Sequence, residues 1–110
     1  MNKYVCCYTP KGDETKVTML DVSFNEDRVY ISTDNVGKIF ELLENEDLEE
    51  REKVINIVNE IASFIESMNT KYEHEIYSDI LVNKMCVYVY EFMTSLCEKF
   101  EGMTCTNIFE

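Results

Sequence analysis

The chain has 110 residues, 45% of them apolar and 12% aromatic, with three glycines and one proline, which suits one folded domain around a single core and excludes a disordered or loop-rich scaffold. Twenty-two acids against ten bases give a net charge of −12, which opposes long-range attraction to nucleic acid or anionic lipid and favours a basic partner. The longest apolar run, residues 85–90, is far short of the about 20 residues needed to span a bilayer.

Residues 3–9 and 16–24 are rich in β-formers and flank Pro10-Lys11-Gly12-Asp13-Glu14, so they predict strand, turn, strand. In the second strand Thr18, Leu20, Val22 and Phe24 make the better core face, with Val17, Met19, Asp21 and Ser23 opposite. Asn25–Arg28 supply a second turn and residues 29–33 a third short strand, completing an antiparallel meander.

Asp34 or Asn35 is then placed to cap a short helix whose apolar face is Val36, Ile39, Phe40 and Leu43, running to about residue 45. Asp47 is the next cap, with Glu50 three positions on, and a long helix over 48–71 follows. Its stripe of Val54, Ile57, Val58, Ile61, Phe64, Ile65, Met68 and Tyr72 steps by threes and fours. Ser78 or Asp79 starts a last helix that is apolar on most of its circumference, and Gly102 stands where a left-handed residue would end it. Residues 86–92 also alternate like a strand, but the helical frame fits over more of the segment. Residues 104–109 form a short edge strand or drape over the core. The expected architecture is α+β in one domain, a small antiparallel meander followed by two to three helices with the last one central.

The densest charge lies in residues 41–52, where seven of twelve positions are acidic: Glu41, Glu44, Glu46, Asp47, Glu49, Glu50 and Glu52. Glu49, Glu50 and Glu52 fall in or near the first turn of the long helix, where the backbone dipole favours acids by about 0.3 to 1 kcal/mol each. The dipole accounts less well for Glu41, Glu44, Glu46 and Asp47, two of which close the preceding helix where acids are mildly unfavourable, so the stretch is either a solvated loop or a surface for a basic partner. A helix over 48–71 would be about 36 Å long, comparable to one turn of duplex, so imitation of nucleic acid is one form such a surface could take.

No metal is expected: the acidic run lacks the glycine and ligand frame of a calcium loop, and no C-x-x-C occurs among Cys6, Cys7, Cys86, Cys97 and Cys105. Cys6 and Cys7 are adjacent on a strand and so point to opposite faces, while Cys86 and Cys97 are about 16 Å apart along one helix. The odd thiol count and the lack of an export segment lead us to expect reduced thiols and a cytoplasmic location. The single histidine, His74, sits between Glu73 and Glu75 with no nucleophile at a useful spacing, and reads as a surface residue. No catalytic set and no cofactor motif is found.

Nine isoleucines, nine asparagines and eight lysines against one alanine and two arginines suggest translation of an AT-rich genome. In type, though in no motif, such a chain resembles the small acidic anti-CRISPR-like inhibitors that phages and mobile elements encode against host defence nucleases. These features lead to the expectation of a non-enzymatic binding protein. Its acidic stretch would engage and block a basic, nucleic-acid-handling protein. The alternative is a homodimer or adaptor working through an apolar face of the last helix at Met85, Tyr88 and Phe92, with acidity serving solubility.

Overall fold

The computed structural model describes residues 2–12, 15–33, 36–44 and 47–109. Strands β1 (Asn2–Tyr8), β2 (Val17–Phe24) and β3 (Val29–Ser32) lead into helices α1 (Val36–Leu43), α2 (Leu48–Tyr72) and α3 (Asp79–Lys99), and strand β4 (Met103–Phe109) closes the order. The sheet is antiparallel with strand order β3-β2-β1-β4, so the meander is completed by a fourth strand at its β1 edge. The α+β architecture expected from the sequence is the one observed, with residues 104–109 as an edge strand and residues 86–92 helical. The cap expected at Asp34 or Asn35 lies outside the described residues.

β1 alternates as a half-buried strand should: Tyr4, Cys6 and Tyr8 are buried, and the residues between them are half-buried. The inward set meets the helices, while Lys3 pairs with Asp21 at 3.2 Å on the opposite, wetter face. β2 departs from the simple alternation. Cys6 pairs with Leu20 but Cys7 pairs with Thr18, so Met19 is an extra residue at a bulge. The bulge resets the faces: Val17 joins Leu20, Val22 and Phe24 inside, Met19 is also buried, and Thr18 turns out of the core face expected for it.

α2 starts where Asp47 accepts the backbone N–H of Glu49 at 3.0 Å and of Glu50 at 3.4 Å, satisfying donors that the first turn leaves unpaired. Ser78 caps α3 in the same way through the N–H of Leu81 at 3.2 Å. α3 packs on β1, β4 and α2. Its joint with α2 is aromatic: Phe64 stacks on Phe92 with centroids 4.1 Å apart and on Tyr88 at 5.5 Å, and Tyr72 meets Tyr88 edge-on at 6.1 Å. Tyr77, in the α2–α3 connection, donates its hydroxyl hydrogen to the Asn25 carbonyl at 2.5 Å and so pins the β2–β3 turn.

Burial, with smaller contributions from the neighbouring Cys86 thiol, pushes the Tyr4 hydroxyl up to about 12. Burial, followed by the adjoining Glu50 carboxylate, raises Tyr8 as well. For a phenol raised in the folded state, the stability it confers is intact below the unfolded value near 10 and is lost as pH climbs toward the folded value. The phenols should therefore add a loss of stability above about pH 10, roughly 2 kcal/mol for Tyr4 toward pH 12, to an earlier loss from about pH 9 caused by the Cys97 and Cys105 thiols, which are raised in the same sense. Thermal unfolding at pH 8, 10 and 11 checks this, and Tyr4→Phe should blunt the loss. An unchanged slope in that variant would assign the alkaline transition to other groups.

Candidate functional site

The acidic residues singled out in the sequence gather where α1 turns into α2. Glu41 and Glu44 sit at the end of α1, Asp47 is the cap, and Glu49 and Glu52 lie in the first turns of α2; all five are exposed. Glu46 lies outside the described residues. Glu50 does not belong to this surface. It is 6% exposed and accepts a hydrogen bond from the Tyr8 hydroxyl of the central strand. The reason is helical phase: Glu50, Val54, Ile57 and Ile61 follow one another by steps of four, three and four, so Glu50 is on the core stripe.

Bases temper the corner without neutralising it. Lys38 pairs with Glu41 at 3.3 Å, an exposed i,i+3 contact worth a few tenths of a kcal/mol. Lys53 leans over the Tyr8 ring, 5.9 Å from its centroid. Farther along α2 the solvent-accessible acids are Glu60, paired with Lys99 at 3.3 Å, and Glu66, with Glu73 at the C-cap, and the uncharged Asn56, Asn59, Ser63 and Thr70 stand among them. From Glu52 to Glu60 is about 12 Å along the axis, and from Glu60 to Glu66 about 9 Å, at 1.5 Å per residue. Charge is thus concentrated at one corner and is not strung along the helix at the spacing of phosphates.

The sequence reading missed the apolar side chains at the same corner. Phe40 is 59% exposed, Val36 49% and Leu48 67%. α1 was expected to bury Val36, Ile39, Phe40 and Leu43, yet its buried residue is Leu42, with Ile39 and Leu43 half-buried. Five of its eight residues are apolar, more than its contacts with α2 and β2 cover, and the helix settles with Phe40 outward. Val36, Phe40 and Glu44 follow at intervals of four and share that outer face. An aromatic side chain held in water beside carboxylates is the composition of a protein-docking surface, with an apolar anchor and a charged rim.

The apolar face suggested for α3 is placed differently. Met85 is buried, and Tyr88 and Phe92 are half-buried in the aromatic joint with α2, where Ser67 lies 2.5 Å from the Tyr88 hydroxyl and the Lys71 ammonium 4.6 Å from its ring centroid. The large apolar side chains of α3 that face water are Ile80, Val87 and Tyr90, on the other side of the helix. His74 is solvent-facing, 3.0 Å from Glu73, and no thiol approaches it among the described residues.

A second feature brings together residues that are far apart in sequence. The sulfurs of Cys6 on β1 and Cys105 on β4 are 2.7 Å apart, and those of Cys105 and Cys97 on α3 are 2.9 Å apart. All the cysteines are free thiols. Burial, then the contact with Cys105, pushes the Cys97 thiol up to about 12, and the contact with Cys6, then burial, raises Cys105. Zinc–thiolate bonds of about 2.3 Å in a tetrahedron would hold sulfurs roughly 3.8 Å apart, wider than either separation here. Among the described residues no group of three or more His, Cys, Asp or Glu is placed to hold a metal ion.

No helix among the described residues is long and apolar enough to cross a membrane. No protein-family model, curated protein or solved structure matches the chain.

Proposed function

We propose that the chain is a non-enzymatic binding protein that docks its α1–α2 corner onto a basic-surfaced protein, one that handles nucleic acid, and blocks it. The observation that carries this reading is the exposed Phe40 on α1, with exposed Glu41 and Glu44 on the same helix end and exposed Asp47, Glu49 and Glu52 at the start of α2. The net charge of −12 steers a basic partner toward the surface, and the aromatic anchor supplies contact area once it arrives. Clustering at one corner favours a compact docking patch over imitation of a duplex. A basic groove that already binds nucleic acid is the natural complement of such a patch, and occupying it would exclude the nucleic acid by mass action.

The test is capture of basic proteins from a low-GC bacterial lysate on the tagged chain, with a salt gradient and identification of what elutes. The variant Glu41→Lys/Glu44→Lys/Glu49→Lys/Glu52→Lys changes eight units of charge and avoids both the Asp47 cap and the buried Glu50. It should lose the captured nucleic-acid-binding protein entirely, and Phe40→Ala should weaken capture about tenfold or more. Equal capture by the wild type and both variants would remove the reading.

A further inference from the structure

The three converging thiols lie apart from the acidic corner and play no part in the binding reading. Cys6 and Cys105 are directly opposite each other in the antiparallel register of β1 and β4. Such partners have Cα atoms about 4.5 to 5.5 Å apart, inside the 4.4 to 6.8 Å that a disulfide spans. Cys97 reaches the same Cys105 sulfur from the last turns of α3, so one central sulfur has a thiol on either side. Cys6 is fully buried. Cys97 and Cys105 are half-buried, and both line a groove of about 520 Å³ between α3 and β4, together with Tyr4, Tyr90, Met93 and Met103. Of the three thiols, Cys97 and Cys105 are the two that line the groove and that a small solute in it can reach. The remaining cysteines are elsewhere, Cys7 against Thr18 on the far face of the sheet and Cys86 against Asn2.

We propose that Cys105 is a redox modification site, oxidised by hydrogen peroxide admitted through the α3–β4 groove to an intramolecular disulfide with Cys6 or Cys97. In the first step the Cys105 sulfur attacks one peroxide oxygen, the O–O bond breaks, and a sulfenic acid and one water result. The sulfur of Cys6 or Cys97 then attacks the sulfenic sulfur. The S–S bond forms, the S–O bond breaks, and a second water leaves. Two thiols have given two electrons and two hydrogens to the peroxide, and the third thiol stays reduced. That third thiol can attack Cys105 in turn, moving the disulfide between β1–β4 and α3–β4 with no net redox change. Thiols held protonated react slowly in the first step. The second step is fast because its partner is already in contact, so the sulfenic acid is trapped before further oxidation.

Peroxide treatment of the native chain, followed by thiol titration and non-reducing peptide mapping, tests the site. The wild type should lose two of its five thiols, gain a Cys105-containing disulfide and unfold about 10 °C higher, and dithiothreitol should reverse all three changes. Cys6→Ser should keep only the Cys97–Cys105 bond, Cys97→Ser only Cys6–Cys105, and Cys105→Ser should form neither. If Cys105→Ser fails to fold, the two single-bond variants still decide. Retention of all five thiols, a disulfide lacking Cys105, or bonds formed only between two copies of the chain would overturn the proposal.

Discussion

Phe64→Ala should lower the stability of the chain by about 3–5 kcal/mol, a third or more of what a domain of this size commonly has. Phe64 is 4% exposed and lies in the joint between the two long helices, stacked on both Phe92 and Tyr88. Truncation removes the transfer energy of the ring, opens a cavity between the two helices, and ends two ring–ring contacts worth about 0.5–1.5 kcal/mol each. It also loosens Tyr88, which Tyr72, Lys71 and Ser67 hold in place from other directions. Phe64→Leu keeps most of the volume and gives up the stacking, so it should cost clearly less. Urea denaturation of the three proteins checks the order, with an unchanged slope showing that the same surface is exposed on unfolding. A loss under 1 kcal/mol for the alanine variant would mean that α2 and α3 are not joined through this stack. Phe64 is twelve residues from Glu52, about 18 Å along the helix, so folded material should still bind through the acidic corner.

Gly102→Ala should cost about 2–4 kcal/mol, a large penalty for one methyl group. Gly102 has φ +95°, where side chains add roughly 1–3 kcal/mol of backbone strain. A Cβ there would also sit 2.8 Å from the Thr9 carbonyl oxygen and 3.1 Å from the Tyr8 ring. The carbonyl is backbone and its neighbour Tyr8 is fully buried, so neither can move aside cheaply. Close approach is needed here because the Gly102 carbonyl accepts the N–H of Thr9 at 3.0 Å, which sets the start of β4 against the end of β1. Gly12 separates the two causes. It has φ +83° with open space around its Cβ position, so Gly12→Ala should show the backbone term alone. Thermal melts of both variants give the comparison, and equal losses would show that the contact with Thr9 carries no penalty.

Local patterns on the chain were informative where one neighbour decides the outcome. Asp47 and Ser78 announce helix starts because a short side-chain oxygen next to an apolar repeat has few other uses, and both act as caps. The stripe from Val54 to Tyr72 is clear because it faces one continuous core. Glu50 was readable in the same way, since a step of four back from Val54 lands on it, but its charge masked its phase. The exposure of Phe40 was not legible: α1 is apolar on most sides, and only the surface available to it decides which side is left in water. The bulge at Met19 leaves no sign in composition, because it depends on how β1 and β2 meet. The thiol cluster was hidden for a similar reason. Residues 6, 97 and 105 meet only after β4 pairs with β1 and α3 packs across both.

The strand order β3-β2-β1-β4 also sets a timetable for synthesis. β1 is made first, yet one of its two hydrogen-bonding edges belongs to a strand that leaves the ribosome only after all three helices have been translated. The β1–β2–β3 meander can assemble early from near neighbours, whereas the β1–β4 pairing spans about a hundred positions and must wait. Throughout that interval β1 presents an unpaired edge flanked by Tyr4, Val5 and Tyr8, the kind of edge on which nascent chains associate with one another. Slowing translation of residues 100–109 would lengthen that exposure without changing a single contact in the finished fold.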